Sequence, residues 1–105
     1  MYIYNVTVNV ENGIHDEWLG WMKEIHIGDV LGTNLFSGAR LTEVMVEGDA
    51  GRTYSVQYEV DDMESLQLYF QMYAPKLQQE LKDKFGDKAL AFRTILRVEE
   101  DFTIK

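Results

Sequence analysis

The chain of 105 residues contains no cysteine and a single proline. Without cysteine there are no disulfides, no thiolate catalysis and no sulfur-ligated metal, so any chemistry falls to histidine, carboxylate and hydroxyl groups. Basic residues are also scarce: ten Lys and Arg stand against eighteen Asp and Glu, a net charge of −8. That field repels a phosphate backbone at long range, so nucleic acid is not an expected partner. Lys82, Lys84 and Lys88 are interleaved with Asp83 and Asp87 and read as a solvated helix end. No apolar run approaches the roughly 18 residues of a membrane span, so no membrane association is expected. The opening MYIYNVTVNV lacks the basic flank, unbroken apolar stretch and small-residue cleavage site of a signal peptide. It reads as a first strand, and the expected location is the cytoplasm.

Apolar residues make up 46% of the chain and charged ones 27%, the balance of a folded protein. The length suits one hydrophobic core and one domain spanning residues 1–105.

Alternation in YIYNVTVNV puts Tyr2, Tyr4, Val6, Val8 and Val10 on one face and Ile3, Asn5, Thr7 and Asn9 on the other, as in a strand. From Ile14 the spacing becomes helical through Trp18, Trp21, Met22 and Ile25, and Gly28 is the expected end of that helix. ARLTEVMVE and RTYSVQYEV flank GDAG as a β-hairpin. Asp61 and Glu64 outline a capping box before a second helix over about 62–84, whose stripe is Met63, Leu66, Phe70, Tyr73, Leu77 and Leu81. Pro75 predicts a kink or break near Tyr73 and Ala74. ALAFRTILRVEE is the last strand. The order is β-α-β-β-α-β, an α+β ferredoxin-like pattern with an antiparallel sheet of order 4-1-3-2 and both helices on one face.

The segment HDEWLGWMKEIH holds both histidines and both tryptophans. His15 and His26 are eleven positions apart, about 16 Å along a helix axis, too far to share a metal. No metal site and no cofactor are expected. Trp18 and Trp21 lie in the apolar stripe, with indole N–H groups that need partners at the edge of the core or in a cleft. His26 reads either as a cap at the helix C-terminus or as a base at the rim of a pocket walled by Met22.

The parity of the strands points Asn5, Thr7, Asn9, Thr53, Ser55, Gln57, Glu59, Arg93 and Arg97 to a helix-free face. Such a face cannot form a dry interface, because each unpaired polar group would cost about 1–3 kcal/mol. It is either solvated or the wet interior of a dimer. The strand-four arginines read either as part of a structural network with Glu59 and Asn5 or, with Arg93 joined by Asn5 and Gln57, as the polar end of a pocket for an anionic or carbonyl ligand. Asn5, Trp21, His26, Gln57 and Arg93 are therefore the candidate ligand-binding residues. Leu68 and Met72, at i, i+4 spacing opposite the second helix's stripe, are candidate partner contacts.

YNVTVNV, WLGWMKEIHIGDVLGTNLF, GRTYSVQY, YAPKL and AFRTILRV together resemble a family of small bacterial proteins defined as a domain of unknown function. That family looks related to the dimeric α+β barrels, which include antibiotic-biosynthesis monooxygenases and haem-degrading enzymes. The resemblance implies a homodimer in which two sheets pack face to face, with small ligands between sheet and helices. Haem-degrading relatives ligate iron through a histidine on the second helix, and MESLQLYFQMYAPKLQQELKDKF has none, although Asn5 matches their strand-one asparagine. The expected function is a homodimeric cytoplasmic binding protein for a small molecule or a protein partner. The alternatives are a cofactor-free, monooxygenase-like enzyme, with His26 as base and Asn5 or Arg93 stabilising negative charge, and a structural interaction module without a ligand.

Overall fold

The structure, a computed structural model, describes residues 1–46 and 50–104. Strand β1 (Tyr2–Val10) leads into one continuous helical segment: α1 (His15–Trp21), a π-helical turn (Met22–His26) and α2 (Ile27–Leu31). The hairpin strands β2 (Gly38–Val44) and β3 (Arg52–Val60), helices α3 (Met63–Met72) and α4 (Ala74–Phe85), and β4 (Ala89–Arg97) complete the chain. The strands form one antiparallel sheet in the order β2-β3-β1-β4, the expected 4-1-3-2 read from its other edge. Of the hairpin loop GDAG, Gly48 and Asp49 lie outside the described residues, as does Glu47 at the end of the expected strand.

The helices cover one face of the sheet. Tyr4, Val8, Val10, Tyr54, Val56, Tyr58 and Val60 project from the strands into a core closed by Trp18, Met22, Val30, Leu66, Tyr69, Leu77, Leu81 and Phe85. Three boundaries depart from the sequence reading, each for a local reason. Gly28 does not end the first helix, since the Gly32 N–H still reaches the Gly28 carbonyl at 2.8 Å. The cap of α3 is Asp62 rather than Asp61: its carboxylate accepts the Ser65 N–H at 2.7 Å. The second helix does break where Pro75 required it, at Tyr73 with φ −125°, and Pro75 occupies the first turn of α4, where a missing N–H is tolerated.

The largest correction concerns β4. The pairs Tyr4 with Ile95, Asn5 with Thr94, Val6 with Arg93 and Thr7 with Phe92 set the odd residues of β1 opposite the even residues of β4. Paired residues share a face, so Arg93 and Arg97 are on the helix side, and Leu90, Phe92, Thr94 and Leu96 are on the helix-free side. That outer face is therefore mixed. At its middle a polar network closes on itself: the Asn5 amide donates to Thr7 and Thr94 at 3.2 Å each, and the Ser55 hydroxyl donates to Asn5 Oδ1 at 2.6 Å. Gln57 donates to Ser55 at 3.4 Å, and Asn9 to Thr53 at 3.2 Å. Beside it, on the β4 edge, Leu90 is 61% and Phe92 64% exposed.

Candidate functional site

The π turn decides what the first helix presents to the sheet. A turn closed by i→i+5 bonds carries an extra residue, which swings the position four after Met22 inward and the position three after it outward. His26 is consequently nine-tenths buried, whereas Ile25 is half exposed. The expectation that His26 caps a helix C-terminus is thus overturned, because the helix runs on to Leu31. Met22, His26 and Val30 form the inner row. Trp21 stacks on the imidazole, centroids 4.7 Å apart at 25°, and meets the edge of Phe85 at 5.5 Å.

His26 faces a small cavity of about 20 Å³ between sheet and helices, room for about one water. Its wall includes Tyr4, Trp18, Tyr58, Tyr69, Gln78 and Arg93. Burial holds the His26 imidazole down to about 4, with Asp29 pulling up and Arg93 pushing down, so the ring is neutral at pH 7. Burial pushes the Tyr58 and Tyr69 phenols well above the ordinary value. The Tyr4 phenol is also raised by burial, against the opposing pull of Arg93 and Gln78. Tyr4 lies 5.9 Å from Tyr58 and 5.8 Å from Tyr69, centroid to centroid. Two buried polar atoms on this wall, Trp18 Nε1 and His26 Nδ1, find no partner among the described residues. Each such atom costs about 1–3 kcal/mol.

The structure divides the five candidate ligand residues between two faces. His26 and Arg93 line the cavity, and Trp21 packs behind His26. Asn5 and Gln57 are on the opposite side of the sheet, in the polar network described above. The expected triad of Arg93 with Asn5 and Gln57 is not formed, and neither is an Arg93–Glu59 link, since Glu59 pairs with Ile3 on the outer face. Tyr4, Trp18, Tyr58, Tyr69 and Gln78 were not singled out as site residues. The sequence signal was present: tyrosines at alternate inward positions of two strands carry hydroxyls that a core must satisfy.

The other histidine has a structural position. His15 Nε2 lies 2.5 Å from the Tyr54 hydroxyl, and its Nδ1 lies 3.0 Å from Asp16 and 3.3 Å from Arg52, which is itself bridged to Glu43 at 2.8 Å. This ties the start of α1 to the β2–β3 hairpin. Among the described residues no group of three or more His, Asp or Glu side chains is placed to hold a metal. No helix there is long and apolar enough to cross a membrane. Leu68 and Met72 are exposed on the outer side of α3, as their spacing required.

Residues 1–99 match the model of a family described as Domain of unknown function (DUF4286). No curated protein matches the chain in sequence. Among solved structures it is similar to a dimeric ferredoxin-like protein from an uncultured marine organism, with TM-score 0.76, 8% identity, and 96% of this chain and 97% of that one covered. It is similar as well to a MhuD mutant with two manganese protoporphyrin IX bound per active site, with TM-score 0.70, 18% identity, and 98% and 99% covered. A third likeness is to a Deinococcus radiodurans protein described as a candidate antibiotic biosynthesis monooxygenase, with TM-score 0.59, 12% identity, and 100% and 99% covered. At these identities the likenesses establish the ferredoxin-like fold.

Proposed function

The chain belongs to the DUF4286 family of domains of unknown function, and from that premise we propose that it is a homodimeric cytoplasmic binding protein for a small molecule held between the sheet and the helices. The observation that carries the reading is the pair of unpartnered buried atoms, Trp18 Nε1 and His26 Nδ1, on the wall of one cavity that Arg93 also lines. A folded core has no use for two unsatisfied groups on the wall of one cavity; an occupant with hydrogen-bonding oxygens offers them partners. The outer face supports the dimer, because its central polar groups satisfy one another and leave Leu90, Phe92 and Leu96 as apolar surface for a second sheet. Similar folds are named as dimeric. Leu68 and Met72, on the far side of α3, are left for a different protein partner.

A native mass spectrum of the protein as purified tests this reading. A dimer carrying retained extra mass is the expected result, and a bare monomer at micromolar concentration would sink the dimer. The second reading, a cofactor-free oxygenase-like enzyme, is favoured by one observation: His26 is a neutral base beside the Arg93 cation. Asn5 takes no part in it, being on the other face. Oxygen uptake with quinols, lost in His26→Gln, is its expected signature.

A further inference from the structure

An open groove of about 320 Å³ runs between α4 and the β4 edge, lined by Leu81, Lys82, Ala89, Leu90, Ala91 and Arg93 among others. Gln78, Leu81 and Arg93 line both this groove and the inner cavity, so the two spaces adjoin at these residues. Arg93 is exposed, and Leu81 is buried. The groove is thus placed as a vestibule to the cavity.

The chemistry of the two compartments differs. Arg93 is the one formally charged side chain on the cavity wall, and a guanidinium donates without accepting. The Trp18 indole N–H is likewise a donor only, and it has no partner among the described residues. The neutral His26 ring can place its proton on Nδ1. The Tyr4, Tyr58 and Tyr69 hydroxyls and the Gln78 amide can donate or accept, so every polar side chain on this wall can donate to an oxygen held in a space of about one water. The groove offers Leu81, Ala89, Leu90 and Ala91 as apolar surface, and Lys82 and Arg93 together outweigh Asp87, a locally positive lining on a chain of net charge −8.

We propose that the site takes a small amphipathic carboxylate, bound with its carboxylate turned inward past Gln78 and Leu81 onto Arg93 and the cavity donors, and with its apolar body in the α4–β4 groove. This rests on the reading of the cavity as a ligand site. The cavity admits one carboxylate oxygen and not the body, since about 20 Å³ has no room for a ring or a chain. A carboxylate accepts from Arg93 and the indole and also brings the charge that pairs with the guanidinium, which water does not. Specificity for charge then lies with Arg93 and specificity for shape with the groove.

Benzoate and its neutral analogue benzyl alcohol are the probes, titrated by calorimetry and by the emission of Trp18 and Trp21, which flank the site. Benzoate is expected to bind saturably and benzyl alcohol at least about tenfold more weakly, the discrimination of one charge-assisted hydrogen bond. Arg93→Met is expected to remove that discrimination with unchanged melting, because the side chain is exposed, and Lys82→Glu to weaken benzoate alone. Equal binding of the two probes would overturn the carboxylate assignment and leave the cavity as a site for neutral ligands. Saturable benzoate binding that survives Arg93→Met would overturn the inward orientation. No saturable response to either probe would overturn the proposal together with the ligand-site reading.

Discussion

At the scale of single residues, His26 makes the clearest demand. Its folded pKa, about 4, lies below the ordinary 6.5 chiefly because burial penalises the cation. As pH falls, the unfolded chain takes up a proton first, so stability is full above about 6.5 and is lost as pH drops toward 4. The shift corresponds to about 3 kcal/mol at most. Thermal midpoints between pH 6.5 and 5 should therefore fall more steeply in the wild type than in His26→Gln; parallel curves would mean that another group titrates there. His15 makes a smaller claim. Tyr54→Phe leaves its Nε2 without the 2.5 Å hydroxyl partner, and urea unfolding should show a loss of about 1–3 kcal/mol. What the sequence conveys at this scale is uneven. That His26 and Arg93 are worth watching is legible from their chemical type, but the neighbours that give them meaning are not. Trp18 and Tyr4 look like ordinary core residues until a cavity is found beside them.

At the scale of elements, periodicity carries far and register does not. The strands, the two helical regions and the break before Pro75 follow from spacing alone, because each is a local property of the backbone. The face of β4 depends on a pairing offset between distant segments, and a shift of one residue moves Arg93 from one side of the sheet to the other. The π turn escapes for a related reason: an α-helical wheel places both Ile25 and His26 near the inner side, and only the widened turn chooses His26. One element offers a direct test. Gly51 opens β3 with φ +91°, and a Cβ there would approach the Val10 carbonyl oxygen to 2.5 Å. Both the conformation and the close approach oppose a side chain, so Gly51→Ala should cost more than about 1 kcal/mol in chemical denaturation. A neutral result would mean that the strand end shifts freely away from β1.

At the scale of the molecule, the question is what covers the outer face. A sheet with helices on one side exposes the other, and in a monomer a fully polar face would be the stable answer. This chain is polar at the centre, where Asn5, Ser55, Thr7 and Thr94 already bond to one another and so lose little if water is excluded, and toward β2, where Arg40 and Glu59 add charge, but it is apolar along the β4 edge. Phe92, 64% exposed, and Leu96 gain from such exclusion. If the proposed dimer forms through this face, Phe92→Asp should convert it to a monomer in native mass spectrometry while melting stays close to that of the isolated fold, since the side chain is on the face away from the helices and core. Leu68→Ser with Met72→Ser should leave the dimer intact, because α3 is on the opposite side. The charge of the chain adds a condition that separates this interface from an electrostatic one. Joining two molecules of net charge −8 sets like charges against each other, and salt screens that repulsion over about 8 Å at physiological ionic strength. Dimerisation through the apolar margin should then strengthen as salt rises from 10 to about 150 mM, whereas an interface held by ion pairs would weaken over the same range.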